Sequence, residues 1–246
     1  MKKDFLNLRI NRIHFDCLIE EILDNAKTNI SSYLCAVNVH MTVEAQTDEV
    51  LKSAVNSATW AVTDGMPVAW TYSKLLKTAQ ERIAGMDITP ELLHQADKHG
   101  LVVSVYGNTK KNLDKFRMFV SKHFPNVIIG CLISPPFRTL SETELKHNIH
   151  LINIANSQIV FVSLGCPKQE IWMLKNSLKI KGVCLGIGNA INTTIGEEKR
   201  PPKLVQKIGM EWLFRLFQNP KRLFKRYLYT NTRFCIMIFK KALKLQ

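Results

Sequence analysis

Six short runs of apolar and β-branched residues recur along the chain, each separated from the next by a stretch with helical spacing. The runs cover residues 33–39, 59–65, 101–108, 126–133, 157–165 and 182–189. Strands of a parallel sheet are buried on both faces, so they read as continuous apolar runs, and the helices between them form the crossover connections. The pattern predicts an α/β fold, Rossmann-like, with a mostly parallel sheet and helices on both faces.

Boundary signals for helices lie between these runs. Thr89 followed by Pro90 is typical of an N-cap and the first helical position, so we expect a helix to begin there. Ser141 and Glu144 have the spacing of a capping box, and Gly100 indicates the end of a helix.

The chain changes character after Gly196. Apolar positions in residues 204–217 fall on one helical stripe, and Asn219-Pro220 interrupts it. Residues 221–244 then alternate basic pairs with Leu, Phe, Tyr and Ile at helical spacing, which is typical of a helix that lies on a membrane surface. We therefore predict an α/β domain at residues 1–195, which would carry the catalytic site, and a basic amphipathic helical appendage at residues 196–246 that associates with membranes.

The charge distribution supports this division. Residues 199–246 hold 13 of the 34 lysines and arginines and one of the 20 acidic residues, so their net charge is +12, against +2 for residues 1–198. Such asymmetry indicates a polyanionic surface, either nucleic acid or anionic lipid, and the interleaved apolar residues favour lipid. No stretch approaches the roughly 18 apolar residues of a spanning helix, and the first residues lack the apolar run of a signal peptide. We expect a cytoplasmic protein that binds peripherally to the inner face of the cell membrane.

Polar residues and glycines follow five of the predicted strands, at Asn38, Asp64, Asn108, Gly165 and Gly188. The carboxyl ends of parallel strands meet at one edge of an open sheet, and ligands bind outside that edge. We therefore expect these residues to surround one crevice.

Asp64 stands directly after the second apolar run and before Gly65 and Pro67. A carboxylate just outside a buried strand is partly desolvated, so it suits a general base aimed into the crevice. An aspartate before Gly and Pro is also typical of a turn or a helix N-cap. The segment alone leaves both interpretations open.

Two further strand-to-helix junctions carry candidate binding groups. In "GCPKQE", residues 165–170, Gln169 would lie in the first helical turn with its amide within reach of a ligand, although the segment also fits an ordinary helix start with Glu170 at the positive end. Gly186, Gly188 and Asn189 could let backbone amides approach a diphosphate. The position of a third dinucleotide-fingerprint glycine is occupied by Ile191, which argues against an NAD site.

Metal chemistry has little support in the sequence. The chain has no D-x-D pair, its histidines show no ligand spacing, and its six cysteines form no C-x-x-C pair. We expect neither a metal nor another cofactor. A diphosphate that left during turnover would then be neutralised by cations, with candidates Arg82, Arg215, Arg222, Lys225 and Arg226. For the candidate cations in the appendage, the alternative is that they form a charged helix face that contacts solvent or lipid.

Six segments in order resemble the WecG/TagA/CpsF family of bacterial glycosyltransferases across residues 37–228. They are "VNVHMTVEA", "TDGMPVAW", "RIAGMD", "GCPKQE", "GIGNAINTTIGEEKRPP" and "GMEWLFRLFQNPKRLFKRYL". The resemblance implies an inverting enzyme that needs no metal and moves an N-acetylmannosamine-type sugar from a UDP-sugar. The acceptor would be the 4-hydroxyl of N-acetylglucosamine on undecaprenyl diphosphate, in synthesis of a cell-surface polysaccharide or teichoic-acid-type polymer.

The same resemblance implies roles for individual residues. Asp64 matches the proposed base, Asn38 and Arg82 match pocket residues, and Gln169 matches the glutamine of the G-x-P-x-Q-E segment. The appendage would close over the site and bring its arginines to the leaving diphosphate. Two departures from the pattern, Ala36 in place of threonine and Asn192 in place of aspartate, raise the question of a different donor sugar or reduced activity.

Two other functional classes stay open at this stage. One is a non-enzymatic protein that binds membranes or nucleic acid through its appendage and senses a ligand through its α/β body. The other is an NAD-linked enzyme that uses the glycines near residue 186. We favour the transferase, with a UDP-sugar, a polyprenyl-diphosphate-linked sugar and an anionic membrane surface as partners and no nucleic acid. The sequence leaves the oligomeric state open, a homo-oligomer included.

Overall fold

The computed structural model describes residues 2–243. Its strands are β1 (Lys2–Phe5), β2 (Leu8–Asn11), β3 (Ser32–Val37), β4 (Trp60–Thr63), β5 (Val102–Gly107), β6 (Ile128–Ile133), β7 (Ile159–Ser163) and β8 (Val183–Gly186). Its α-helices are α1 (Phe15–Lys27), α2 (Val39–Glu44), α3 (Glu49–Ser57), α4 (Met66–Leu76), α5 (Gly85–His99), α6 (Lys110–His123), α7 (Glu142–Ile154), α8 (Lys168–Asn176), α9 (Ala190–Thr194), α10 (Lys203–Lys207), α11 (Glu211–Gln218) and α12 (Pro220–Leu243).

Six of the strands form an all-parallel sheet with helices on its faces, in the order β4-β3-β8-β7-β5-β6. Each of the six apolar runs in the sequence overlaps one of these strands, so the predicted α/β, Rossmann-like fold is confirmed. The reason is burial: β3, β4 and β8 are buried at every position, and such strands have no polar face to interrupt the run.

The chain forms two compact units, which are described separately. Among the described residues, unit 1 comprises 2–15, 36–84 and 199–243, and unit 2 comprises 16–35 and 85–198. Unit 1 therefore includes all three helices of the predicted appendage.

Unit 1 contains an antiparallel hairpin, β1 with β2, which the sequence pattern did not reveal. Leu8 and Ile10 of the hairpin are fully buried, and the ring of Phe5 lies 5.6 Å from that of Tyr72 in α4. The side chain of Asn11 accepts a hydrogen bond of 2.9 Å from the backbone N–H of Ala61 in β4. Because β4 is an edge strand, this contact covers a donor that would otherwise be open to further strand pairing.

The C-terminal part of unit 1 consists of α10, α11 and α12, with α12 packed on α2 and on α11. The predicted stripe over residues 204–217 is divided between two helices, since Gly209 and Met210 separate α10 from α11. The predicted break at Asn219-Pro220 is confirmed, because α12 begins at Pro220. Residues 244–246 of the predicted appendage lie outside the described residues. Between residues 2 and 243, no helix has both the length and the apolar character required to cross a bilayer.

Unit 2 holds β5 to β8 and the first part of β3, with α1 and α5 to α9 around them. Phe116 and Phe161 are fully buried in its core, and Tyr106 in β5 stacks on Trp172 in α8 with ring centroids 4.4 Å apart. The capping box of Ser141 and Glu144 at the start of α7 is confirmed.

The predicted start of α5 is wrong. This helix begins at Gly85, Pro90 lies inside it, and the Thr89 hydroxyl donates to the carbonyl of Gly85 over 2.8 Å instead of capping the helix. Met86 and Ile88 are buried, so their packing extends the helix towards its N-terminus beyond the local capping signal. A proline in an early turn removes only one backbone donor, which this packing tolerates.

Candidate functional site

Unit 1 contains a cavity of about 300 Å³. Its walls come from the start of α2, the junction of β4 with α4, and the helices α11 and α12. Four residues predicted from the sequence line it: Asn38, Asp64, Arg215 and Arg226. The structure therefore brings together a carboxylate, an amide and two guanidinium groups from distant parts of the chain.

Asp64 lies between the strand and the helix rather than inside either element. Its backbone N–H donates to the carbonyl of Val37 over 2.8 Å, which fixes the turn after β4 beside the end of β3. The N-cap of α4 is Gly65, whose φ of +87° is left-handed, so the interpretation of Asp64 as the N-cap residue is wrong. This geometry leaves the Asp64 side chain at the wall of the cavity.

Asn38 has a structural role in addition to its position in the cavity wall. It is the N-cap of α2, and its Oδ1 accepts a hydrogen bond of 3.1 Å from the backbone N–H of Met41. Ala36, where a threonine was expected from the resemblance, lies buried in β3 two residues earlier.

Burial and the charges around the cavity alter the pKa values of two neighbouring groups. Burial, together with the positive charge of Arg226, lowers the pKa of His40 to about 4, so its imidazole is neutral at pH 7. Burial raises the pKa of Tyr227, the charge of Asp64 raises it further, and three arginines oppose the shift. These arginines are Arg215, Arg226 and Arg222. The Tyr227 hydroxyl therefore keeps its proton and can donate a hydrogen bond into the cavity.

Arg82 and Arg222 are not among the described residues that line the cavity. The Arg82 guanidinium donates to Oε1 of Gln206 over 2.9 Å and lies 3.1 Å from Oε1 of Glu211. Both charged side chains of this ion pair are 12% exposed. Since Glu211 lines the cavity, Arg82 supports the wall through it. Arg222 acts at a distance, through its charge on Tyr227.

Gln169 lies in unit 2, where it is 4% exposed. Its Oε1 accepts hydrogen bonds from the backbone N–H groups of Gly165 and Gly188, over 3.2 and 3.1 Å, and its Nε2 donates to Oε1 of Glu170 over 2.7 Å. The predicted binding amide thus joins the loop before α8 to the loop after β8.

The two predicted glycines of this region serve the local structure. A Cβ on Gly186 would lie 2.7 Å from Cε of Met173 and 3.1 Å from Nε2 of Gln169, so a side chain there would require both of these side chains to shift. Gly188 has a left-handed φ of +54°, and its carbonyl accepts a hydrogen bond of 2.6 Å from the Ser163 hydroxyl.

Asn189 belongs to a network of side-chain amides within unit 2. Asn192 donates to Oδ1 of Asn189 over 2.6 Å, and Asn189 donates to Glu198. Oδ1 of Asn192 accepts from Asn108 over 2.8 Å and from Asn112 over 2.9 Å. Asn192, which stands where the resemblance leads one to expect aspartate, uses both ends of its amide in this network.

The residues of the cavity wall that sequence reasoning missed include His40, Trp212 and Tyr227. The histidine had a usable signal, because it follows the strand-end residue Asn38 by two positions. The two aromatic residues had none, since an amphipathic helix pattern does not say which side its aromatic residues face. The expectation that Gly165, Gly188 and Asn108 share one crevice with Asp64 stays a prediction.

Within the described part of the chain, no group of three His, Cys, Asp or Glu side chains is placed to hold a metal ion. The sequence matches the family model described as the glycosyl transferase WecG/TagA/CpsF family over residues 3–246, which is nearly its whole length. This match confirms the resemblance drawn from the six segments, and it identifies the protein as an enzyme that uses a sugar donor and a sugar acceptor. The chain therefore belongs to the WecG/TagA/CpsF family of glycosyltransferases.

Proposed function

We propose that this glycosyltransferase moves an N-acetylmannosamine-type sugar from a UDP-sugar to the 4-hydroxyl of N-acetylglucosamine on undecaprenyl diphosphate. The transfer inverts the anomeric centre, requires no metal, and serves the synthesis of a cell-surface polysaccharide or teichoic-acid-type polymer. The observation that carries the proposal is the cavity of unit 1, in which Asp64 shares a wall with Arg215 and Arg226.

In the proposed reaction, the acceptor oxygen attacks the anomeric carbon and its proton passes to the Asp64 carboxylate. The bond from that carbon to the diphosphate breaks at the same time, and its electron pair leaves on the UDP oxygen. A single displacement of this kind inverts the configuration at the anomeric carbon. General base catalysis requires the carboxylate within about 3 Å of the hydroxyl and contributes roughly 10²–10⁴-fold to the rate.

The arginines of the cavity have the second role, because negative charge grows on the diphosphate as the bond breaks. A guanidinium group binds phosphate oxygens through two parallel hydrogen bonds and stabilises that charge in a site of low dielectric. The positions of Arg215 and Arg226 in the cavity wall support this role, and the proposal keeps Arg222 and Arg82 as cations near that wall. A nucleotide region around Gly186, Gly188 and Asn189 remains part of the proposal.

Asp64→Asn tests the base. The amide has nearly the same shape but does not accept the proton, so we expect transfer from UDP-N-acetylmannosamine to a prenyl-diphospho-N-acetylglucosamine analogue to fall at least about 100-fold. Binding of UDP, measured by calorimetry, should be retained. The matched control is Asp114→Asn, since Asp114 is an exposed carboxylate on α6. Full turnover in the Asp64 variant would remove Asp64 from the role of base.

The proposed location is the inner face of the cell membrane, and α12 supports it. Leu223, Thr230 and Phe234 are buried on one side of this helix. Phe224, Leu228 and Phe239 are 58%, 62% and 66% exposed on the opposite side, next to lysines and arginines. A helix that keeps apolar residues exposed beside basic ones has the composition of an interfacial membrane helix.

Flotation with liposomes tests this location. We expect the protein to float with vesicles rich in anionic lipid and less with zwitterionic vesicles, and the difference should shrink at high salt. Replacing Phe224 and Phe239 by serine should reduce flotation, whereas serine at Met118, which is 65% exposed on α6 of unit 2, should not. Tight DNA binding in a shift assay without lipid binding would contradict the proposal in favour of the nucleic-acid alternative.

A further inference from the structure

A fully buried carboxyl group lies beside Gln169 in unit 2. Glu170, in the first turn of α8, is 0% exposed. Burying a carboxyl group costs several kcal/mol unless it is paired with a cation or fully hydrogen-bonded. Among residues 2–243, no lysine, arginine or histidine forms an ion pair with Glu170, and its Oε2 has no hydrogen-bond partner. The favourable position at a helix N-terminus offsets only part of this cost.

The strongest contact of Glu170 is with the amide of Gln169, ahead of hydrogen bonds with its own backbone N–H and with the side chain of Cys166. Oε1 of Glu170 accepts the hydrogen bond from Nε2 of Gln169 over 2.7 Å. At the other end of the same amide, Oε1 accepts from the backbone N–H groups of Gly165 and Gly188. Each end of the amide therefore faces a group of matching character, an acceptor opposite NH₂ and two donors opposite the oxygen.

The opposite orientation of the amide would lose all three hydrogen bonds. Rotation by 180° would place the NH₂ group against two backbone donors and the oxygen against the carboxyl oxygen. The two backbone N–H groups bind the amide oxygen only when the Gln169 amide has the observed orientation. Glu170 favours that orientation because it accepts the hydrogen bond from the NH₂ group.

We propose that Glu170 is a positioning residue for this enzyme: it orients the amide of Gln169, which then holds the loop at Gly165 and the loop at Gly188 together. Gly188 directly precedes Asn189, so the loop that is held carries the amide network of Asn189 and Asn192. The expected effect on the two loops, that they are held together, follows from the geometry alone. The consequence for catalysis rests on the proposed function, which places the donor nucleotide near Asn189.

Substitutions at the pair separate orientation from simple burial. Glu170→Gln keeps an acceptor oxygen for Gln169, so the loops should stay in place. Glu170→Leu fills a similar volume without an acceptor and should release them. Gln169→Glu places a second carboxyl group against Glu170 and should also release them. Adding Glu170→Gln to Gln169→Glu restores the pattern, because the new amide at position 170 donates to the carboxylate at 169, which still accepts from both glycines.

The direct readout is the amide signals of glycines, since the chain has 11 glycines and ¹⁵N-glycine labelling gives a spectrum that can be assigned fully. We expect the signals of Gly165 and Gly188 to move and to lose protection from hydrogen exchange in Glu170→Leu and Gln169→Glu. They should return in the double variant, and they should stay unchanged in the control Glu142→Gln, whose side chain is 90% exposed. Unchanged signals in Glu170→Leu, or a double variant no better than Gln169→Glu, would overturn the proposal. If Glu170→Leu does not fold, Gln169→Glu and its rescue decide the matter.

The kinetic readout is the KM for the UDP-sugar measured separately from kcat. Loss of the orienting hydrogen bond should raise this KM about tenfold, with kcat changed less, and the double variant should recover it. A restored KM without restored glycine signals would also overturn the proposal. If the wild-type enzyme transfers no sugar from any UDP donor, the proposed function fails, while the glycine signals still decide the role of Glu170.

Discussion

Two buried groups, one in each unit, are expected to make the free energy of unfolding depend on pH in opposite directions. Burial raises the pKa of the Glu170 carboxyl to about 7 from its ordinary value of 4.5. Burial and the charge of Arg226 lower the pKa of the His40 imidazole to about 4 from 6.5. A group whose pKa differs between the folded and unfolded chain changes the stability over the interval between the two values.

The change of stability with pH has opposite signs for the two groups. The folded protein holds the Glu170 proton more tightly than the unfolded chain does, so the stabilising contribution is complete below pH 4.5 and is lost as the pH rises through about 7. The folded protein holds a proton on His40 less tightly, so that contribution is complete above pH 6.5 and is lost as the pH falls towards about 4.

The magnitudes follow from the two displacements, since one pKa unit corresponds to about 1.4 kcal/mol. For Glu170 the contribution is about 3 kcal/mol. For His40 it is on the order of 2 kcal/mol, because its side chain is 14% exposed and solvent screens part of the effect. Between pH 4.5 and 7 the two contributions therefore largely cancel in the wild-type protein.

The assay is urea unfolding at several pH values from 4.5 to 7.5, followed by tryptophan fluorescence, to which Trp172 in unit 2 and Trp60, Trp70 and Trp212 in unit 1 all contribute. Glu170→Gln removes the contribution that falls with pH, so its stability relative to wild type should rise by about 3 kcal/mol over this range. His40→Gln should show the opposite trend. Matched controls are Glu142→Gln and His150→Gln, which change exposed groups. A pH dependence in Glu170→Gln equal to that of the wild type would refute the reasoning.

Two further predictions concern the wall of the cavity and the nucleotide. Arg82→Met should destabilise unit 1 by about 3–5 kcal/mol in urea unfolding, because it removes the cation that lies against the largely buried carboxylate of Glu211, and Arg82→Met with Glu211→Leu should cost less. An equal or larger loss in the double variant would contradict this. UDP at 100 times its Kd should add about 2.7 kcal/mol to the stability and raise the Tm, and NAD should not. Stabilisation by NAD alone would favour the NAD-linked alternative.

The six-stranded sheet could be predicted from the sequence, and the hairpin of β1 and β2 could not. Most strands of the sheet are buried at nearly every position, so they read as apolar runs. In β1 and β2 only three residues are buried, Phe5, Leu8 and Ile10, and the other positions of these strands are polar or charged. The stability of such short strands comes from what they cover, here the edge strand β4, and sequence patterns do not report contacts of that kind.

Site residues could be predicted where their position follows from the topology of the sheet. They could not be predicted where their position depends on which side chain they contact. Asp64 and Asn38 follow strands, and both line the cavity. Arg82 was expected at a diphosphate because of its charge, yet its guanidinium lies against Glu211. Gln169 was expected to reach a ligand, yet its amide joins two loops. Residue type indicates what a side chain is able to bind, whereas the fold decides which candidate partner lies nearest.

Helix α12 connects the proposed location with the proposed chemistry. Arg226 and Tyr227 line the cavity from this helix, and Phe224 and Leu228 of the same helix are exposed. An α-helix with its side chains is about 10–12 Å across. If these exposed residues lie on the membrane, the part of the cavity wall that the same helix forms lies within about one helix diameter of the lipid headgroups. A diphosphate attached to a membrane lipid lies at headgroup level, so its first sugar would be close to a cavity at that depth. Under the proposed function, membrane binding through α12 would bring the acceptor sugar to the level of the cavity that Asp64 lines, because one helix contributes to both surfaces.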